Sequence, residues 1–175
     1  MSDSPNAVPV VSIVGKSNTG KTTFLEKLIR ELTERGVRVA TVKHYQHDYD
    51  TDIPGKDSWR HAQAGSVVAM VSSPAKLSLV QKLDEEMSLA ALAMIAFNAG
   101  SDILLTEGYK REGLNRIEIS RREANAELIT PAAQLLALVT DAPENAPAGV
   151  AVFDLEDAAG VADVVQARFL GGGAG

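Results

Sequence analysis

Residues 8–24 read Val-Pro-Val-Val-Ser-Ile-Val-Gly-Lys-Ser-Asn-Thr-Gly-Lys-Thr-Thr-Phe, an apolar run that breaks at Gly15 and resumes as an amphipathic pattern. Gly15, Gly20, Lys21 and Thr22 stand at the spacing G-x-x-x-x-G-K-[ST]. Placed after a strand and before a helix, this spacing is typical of a loop that binds phosphate groups. The stretch therefore predicts a phosphate-binding loop near the start of an α/β fold.

The residue types of this loop suit a triphosphate, because consecutive backbone N–H groups of a tight turn converge on a small volume. The glycines let the backbone approach the phosphates, and the following helix points its positive end at the same anions. Lys21 is expected to bridge the β- and γ-phosphates, and the Thr22 hydroxyl to hold Mg²⁺. The alternative, a glycine turn with an incidental lysine, is disfavoured by the full spacing. The predicted nucleotide contacts are Gly15, Lys16, Ser17, Asn18, Thr19, Gly20, Lys21, Thr22 and Thr23.

Two residues inside the loop are unusual. A lysine directly after the first glycine, here Lys16, resembles the lysine that some dimeric ATPases place across their dimer interface. Those loops continue with paired glycines, whereas Ser17 and Asn18 follow here, so a solvated lysine beside an anion site is favoured over one acting in the partner. Asn18 fits a tight turn because Asn enters left-handed backbone conformations more readily than other non-glycine residues.

The composition limits the class of protein. With 175 residues, 45% hydrophobic and 23% charged, the chain is expected to form a soluble single domain over 1–175, with flexible tails at 1–7 and 171–175. A net charge of −6 argues against nucleic acid as a partner, and the absence of cysteine excludes disulfides and a catalytic thiol. Without a signal peptide or an apolar run approaching ~20 residues, a cytoplasmic protein with no membrane contact is expected.

Apolar periodicity predicts an α/β protein with a mainly parallel, doubly wound sheet flanked by helices, the three-layer architecture of P-loop NTPases. Strands that helices cover on both faces show little alternation, so continuous apolar runs predict strands. Predicted strands occupy 8–14, 37–42, 66–72, 76–83, 102–107, 134–140 and 150–155, with a further alternating edge strand at 116–120. Predicted helices follow the loop as far as Gly36, lead to Gly65, run from Asp84 to Ala99, and begin at Asp157.

A polar loop crowded with titratable groups follows the second strand. One interpretation is a transition-metal site, since imidazole and carboxylate are its usual ligands. The irregular spacing favours instead a solvated loop lying over a magnesium nucleotide, from which one carboxylate reaches the metal. The residues concerned are His44, His47, Asp48, Asp50 and Asp52.

The next stretch, residues 54–58, leads into a short helix that carries Trp59. Two interpretations stay open at this point. In one, a surface helix docks Trp59 on the core. In the other, Lys56, Asp57 and Ser58 act on the phosphate side of the site.

A carboxylate at the tip of a strand beside the loop is expected to complete the metal site. Glu107 ends the apolar run 102–107 and is the best candidate, the alternative being a glutamate that only pairs with a nearby cation. Lys21 and Glu107 are therefore the predicted catalytic residues. Thr22 and Glu107 are the predicted Mg²⁺ ligands.

Asp141 is the candidate for recognition of the nucleotide base, because it follows the strand 134–140 where ligands of this fold collect. Guanine offers two adjacent donors, N1–H and the 2-amino group, and a single carboxylate can accept both. The usual guanine motif has Asn-Lys just upstream of its Asp, whereas Val139-Thr140 stands here.

Taken together, these residues resemble the molybdopterin-guanine dinucleotide biosynthesis protein B family, MobB, of P-loop GTP-binding proteins. The likeness covers nearly the whole chain. It is carried by 15–23, Val-Lys-His at 42–44, Asp-Ile-Pro-Gly-Lys-Asp-Ser at 52–58, Ala-Gly at 64–65 and Thr-Glu-Gly-Tyr-Lys at 106–110.

The resemblance implies a homodimer that binds GTP with Mg²⁺, hydrolyses it weakly and assists the enzyme that attaches GMP to the molybdenum cofactor. The implied partners are the molybdenum cofactor guanylyltransferase and molybdopterin-loaded enzymes. Lys16 and Asn18 differ from the small or aromatic residues expected in the loop of this family. Two other functions stay open. One is a P-loop small-molecule kinase or ATP-dependent ligase, which needs an acceptor pocket. The other is a nucleotide-gated interaction module whose loop 43–58 changes order with the γ-phosphate.

Overall fold

The computed structural model describes residues 7–45, 47, 49, 52–109, 115–124 and 127–171. Eight strands and four α-helices are assigned in these ranges. The strands are β1 (Val10–Val14), β2 (Val39–Lys43), β3 (Val68–Ser72), β4 (Leu77–Gln81), β5 (Ile103–Glu107), β6 (Arg116–Ser120), β7 (Leu135–Thr140) and β8 (Ala151–Phe153). The helices are α1 (Lys21–Glu34), α2 (Asp57–Gln63), α3 (Leu89–Asn98) and α4 (Ala158–Val165).

Six strands form one parallel sheet in the order β2-β5-β1-β6-β7-β8. Their apolar residues are buried because helices cover both faces, as their continuous hydrophobicity predicts. On one face, α1 and α4 pack on residues such as Ile13, Leu105 and Ile117. On the other, Ala93 and Ala96 of α3 pack near Leu104. This helix–sheet–helix arrangement confirms the predicted fold class.

Chain contacts divide the molecule into two compact units. The larger unit comprises 1–44 and 88–175 and holds the six-stranded sheet. The smaller unit is 45–87 and holds α2 and the β3–β4 hairpin. The expectation of one domain over 1–175 stays a prediction. Among the described helices, none has the length and apolar character needed to cross a membrane.

The smaller unit corrects the prediction that β3 and β4 continue the main sheet. They pair antiparallel with each other in a separate two-stranded sheet, with Met70 opposite Leu79. The physical reason is the short connection 73–76, because parallel neighbours need a crossover of about a dozen residues or more.

A second correction concerns β6, which was predicted as an edge strand. It lies between β1 and β7, and all of its residues are buried. Alternating charges suggested a solvent-facing strand, but the Glu118 carboxylate accepts backbone N–H bonds from Ile129 at 2.8 Å and Thr130 at 2.9 Å. Those donors satisfy the buried charge, so the strand occupies the interior.

Helix boundaries follow the sequence signals in two cases and depart in one. Gly36 has φ of +83° at the end of α1, and the Asp157 carboxylate accepts from Gly160 N at the start of α4. The helix predicted from Asp84 begins only at Leu89, because Ser88 caps it by accepting from Ala91 N. The polar residues ahead of Ser88 therefore precede the helix rather than form its first turn.

Candidate functional site

The turn between β1 and α1, residues 15–20, is here called the glycine loop. Gly15 has φ of +148°, and a Cβ built on it would lie 2.3 Å from the Ile119 carbonyl oxygen of β6. Gly20 has φ of +86° at the N-cap of α1, and Asn18 has φ of +62°. The loop is therefore a tight backbone turn that packs closely against β6, and Asn18 has the left-handed backbone conformation.

Lys21, the first residue of α1, folds back over this loop. Its Nζ donates to the Lys16 carbonyl oxygen at 2.5 Å, and Thr19 Oγ1 donates to the same oxygen at 3.1 Å. The positive end of α1 and the Lys21 ammonium thus converge on one turn of backbone. This arrangement creates a concentrated positive potential at the end of β1.

Thr22 and Glu107 meet although they are far apart in the sequence. Strand β5 runs parallel beside β1 with Glu107 in register with Ile13, which brings its carboxylate to the same sheet edge as the glycine loop. Thr22 Oγ1 donates to Glu107 Oε1 at 2.9 Å, and Lys43 Nζ lies 3.6 Å from that same oxygen. Two oxygen groups that can act as metal ligands, the Thr22 hydroxyl and the Glu107 carboxylate, therefore lie together, with the Lys43 ammonium beside them.

A cavity of about 170 Å³ opens beside this pair. Its polar lining includes Thr22, Lys43 and Glu107, and its apolar lining includes Leu25 and Ile29. Glu107 itself is only 8% exposed. A carboxylate so enclosed needs partners, and the Thr22 hydroxyl and Lys43 ammonium supply them.

The chain just after Glu107 is held by the end of β2. His44 N donates to the Glu107 carbonyl oxygen at 2.8 Å, and the His44 and Tyr109 rings have centroids 4.6 Å apart. Gly108 has φ of +101°, and a Cβ there would approach the His44 carbonyl oxygen to 3.0 Å. The segment 107–109 at the end of β5 therefore packs closely against the end of β2.

Two arginines missed by sequence reasoning follow β6. Arg121 Nε donates to the Thr19 carbonyl oxygen at 3.1 Å. The Arg122 backbone N–H donates to Asp141 Oδ1 at 2.8 Å, and its Nη2 lies 2.6 Å from Glu144 Oε1. The pKa of Glu144 is lowered because its carboxylate accepts from its own backbone N–H and also binds Arg122. The available signal was the position of both arginines directly after the predicted strand 116–120.

The structure brings only part of the predicted site together. Lys16, Thr19, Lys21, Thr22 and Glu107 cluster at the ends of β1 and β5. Lys16 Nζ also lies 3.9 Å from Glu127 Oε2.

Asp141 stands at the same sheet edge, at the end of β7 and therefore two strands from β1. It is exposed, and no described contact joins it to the glycine loop.

The polar loop after β2 is only partly described. Asp48 and Asp50 fall outside the described residues, and Ser58 Oγ donates to Asp52 Oδ1 at 2.9 Å. In the parts of the chain that the structure covers, no three His, Asp or Glu residues are grouped as metal ligands.

The strand, glycine turn and helix, followed by Lys-Thr and faced by a strand-end glutamate, define the P-loop class of α/β fold. A family model described as molybdopterin guanine dinucleotide synthesis protein B matches residues 10–141. The chain belongs to this MobB family.

Individual relatives agree. The chain is 36% identical over 162 residues to the molybdopterin-guanine dinucleotide biosynthesis adapter protein of Escherichia coli K12, covering 90% of this chain and 91% of that protein. It is 36% identical over 138 residues to the adapter protein of Haemophilus influenzae, covering 79% and 78%. The crystal structure of Bacillus subtilis MobB superimposes with a TM-score of 0.74 at 28% identity, covering 92% and 98%.

Proposed function

We propose that this protein is a cytoplasmic adapter in molybdopterin-guanine dinucleotide biosynthesis that binds GTP with Mg²⁺ at the glycine loop. The observation that carries the proposal is the Thr22–Glu107 hydrogen bond of 2.9 Å, which pairs the loop's hydroxyl with a strand-end carboxylate. Family membership supplies the biosynthetic context, since two relatives with 36% identity are named as adapter proteins of this pathway.

The triphosphate chain fits the glycine loop because the loop combines close backbone, a helix N-terminus and a lysine. The Lys21 ammonium donates to the Lys16 carbonyl at 2.5 Å in this structure. A phosphate oxygen is a stronger acceptor for an ammonium than a carbonyl oxygen, so bound phosphates would draw Lys21 from this bond. The backbone N–H groups of the turn would then surround the phosphates.

Mg²⁺ fits the pair formed by Thr22 and Glu107. Magnesium prefers hard oxygen ligands and keeps several waters, so a hydroxyl and one carboxylate suffice beside phosphate oxygens. Lys43 Nζ, 3.6 Å from Glu107 Oε1, supplies positive charge to that carboxylate in this structure. The bound metal would neutralise charge on the β- and γ-phosphates. Thr22 and Glu107 would hold the metal. Because neither of them is proposed to activate the attacking water, hydrolysis would be slow.

We assign the recognition of the guanine base to the carboxylate of Asp141. Its carboxylate is exposed at the end of β7, on the sheet edge shared with Gly15 and Glu107. The Arg122 backbone N–H holds Oδ1 at 2.8 Å and thereby fixes the carboxylate's orientation. A fixed, exposed acceptor pair is what N1–H and the 2-amino group of guanine require.

The partners follow from the adapter role. We assign the nucleotide-bound protein to act on the molybdenum cofactor guanylyltransferase and on molybdopterin-loaded enzymes. The protein itself is proposed to be a homodimer, and the β3–β4 hairpin supports this. Met70, Leu77 and Leu79 share one face of the hairpin and are 60%, 65% and 53% exposed. A patch of large apolar side chains is typical of a protein interface.

The metal proposal is tested by magnesium titration of GTP binding. Thr22→Val removes the hydroxyl at nearly constant volume, and Glu107→Gln removes the charge while keeping an acceptor for Thr22. Each should weaken GTP binding about tenfold or more with Mg²⁺ and leave binding in EDTA nearly unchanged. Thr33→Val removes a hydroxyl elsewhere on α1 and should leave both affinities as in the wild type. Equal losses with and without Mg²⁺ would assign Thr22 and Glu107 a structural role only.

The dimer proposal is tested by light scattering after size exclusion. The chain mass is 18.5 kDa, so the wild type should give twice this value. Leu79→Lys places a charge in the exposed apolar face and should shift the mass to that of one chain. Ser78→Lys, on the opposite face of the same strand, is the control and should remain a dimer. A monomeric wild type refutes the homodimer.

A further inference from the structure

Arg121 sits against the back of the glycine loop. It is the first residue after β6, is partly buried, and donates from Nε to the Thr19 carbonyl oxygen at 3.1 Å. A Cβ built on Gly20 would lie 3.3 Å from Arg121 Nη2 and 3.5 Å from Nε. The guanidinium therefore occupies the space beside Gly20, and the absence of a side chain at residue 20 lets it reach Thr19.

The charge of Arg121 has no acidic partner within ion-pair distance in the described part of the chain. Three other arginines do have acidic partners: Arg122 pairs with Glu144, Arg35 with Asp163 and Arg38 with Asp102. Among the described residues, the Arg121 guanidinium donates a hydrogen bond to a backbone carbonyl of the glycine loop, so its positive charge lies beside the proposed phosphate site. Its positive charge adds to that of Lys21.

The direction of this hydrogen bond has a consequence for Gly20. In a trans peptide the carbonyl oxygen and the following N–H point to opposite sides. Because Arg121 holds the Thr19 carbonyl on its own side, the Gly20 N–H is directed to the side away from the guanidinium. Arg121 thus orients the Gly20 N–H of the glycine loop without itself contacting the group that this N–H binds.

We propose that Arg121 is a positioning residue of the phosphate site, which holds the Thr19–Gly20 peptide so that Gly20 N–H is presented to a bound phosphate group. This inference rests on the proposed function, because it needs a nucleotide at the glycine loop. Arginine suits the role better than lysine because Nε is part of a rigid planar fork, whereas an ammonium is a mobile point charge.

The test compares Arg121→Lys and Arg121→Gln with wild type in GDP and GTP titrations with Mg²⁺. Both variants lose the Nε donor, and only the lysine keeps the charge. The expected result is a loss of about tenfold or more for both nucleotides in both variants, with Gln the weaker binder. Arg30→Gln removes the same charge from the exposed side of α1 and should bind as wild type.

A spectroscopic measurement separates positioning from loss of fold. In ¹⁵N-labelled wild type, GDP should shift the Gly20 amide resonance strongly. In Arg121→Lys this shift should shrink, while amides of β7 and α4 remain at wild-type positions. Wild-type affinity and an unchanged Gly20 shift in Arg121→Lys would overturn the inference while leaving nucleotide binding intact. Failure of the wild type to bind either nucleotide would instead overturn the proposed function.

Discussion

Gly15→Ala should destabilise the protein strongly, because Gly15 is buried against β6. The new Cβ would lie 2.3 Å from the Ile119 carbonyl oxygen and 3.0 Å from Thr19 Oγ1. The oxygen of Ile119 belongs to a buried strand and cannot move freely, so overpacking costs about 1–3 kcal/mol. Holding a non-glycine residue at φ of +148° adds roughly 1–3 kcal/mol. The expected total is about 2–6 kcal/mol, a large part of a typical stability.

The matched control is Gly36→Ala, at the end of α1. Gly36 has φ of +83°, but a Cβ there would meet nothing within 4 Å. Only backbone strain is added, which costs about 1–2 kcal/mol. Urea unfolding followed by circular dichroism measures both variants. Equal losses for Gly15→Ala and Gly36→Ala would refute the close packing of the glycine loop on β6.

Two further predictions concern a base contact and an ion pair. Asp141→Asn should lose about tenfold or more in GTP affinity and gain preference for XTP, measured by competition binding. The reason is that Arg122 N–H keeps the amide oxygen, so the amide N–H₂ faces the base and meets the 2-carbonyl of xanthine. An unchanged ranking of GTP, ATP and XTP would remove Asp141 from the site. The Arg38 side chain lowers the pKa of Asp102 by hydrogen bonding, so this pair should stabilise the fold at neutral pH and lose that effect as pH falls through the lowered pKa. Asp102→Asn should therefore differ from wild type in the free energy of unfolding in urea at pH 7, and this difference should shrink as the pH falls through the lowered pKa of Asp102. A difference that does not change with pH would contradict this prediction.

Local sequence signals predicted the elements that form the glycine loop. The apolar run before Gly15, the periodicity after Gly20 and the terminal Gly36 are short-range features, and β1 and α1 follow them closely. The position of Glu107 at the end of β5 was also predicted, because an acid that ends an apolar run marks the end of a strand, whereas its role in a metal site stays a prediction. Signals of this kind depend on neighbours in the chain and not on the partner strands.

Long-range pairing accounts for what the sequence did not reveal. The charges of β6 are buried because Glu118 meets backbone donors from Ile129 and Thr130, which no periodicity encodes. The role of Arg121 was missed for the same reason, because in the sequence it is one of several charged residues in a polar segment. Its role depends on the adjacency of β6 and β1, which sets its distance to Thr19.

The proposed function depends on the binding of GTP with Mg²⁺ at the glycine loop. Isothermal titration of the wild type with GTP and with ATP, both with Mg²⁺, tests it most directly, with Lys21→Ala titrated in parallel. We expect saturable GTP binding, ATP binding at least about tenfold weaker, and no measurable binding by a Lys21→Ala protein that unfolds like wild type. Equal affinities for GTP and ATP would contradict the base assignment, and unchanged GTP affinity in Lys21→Ala would contradict the phosphate site itself.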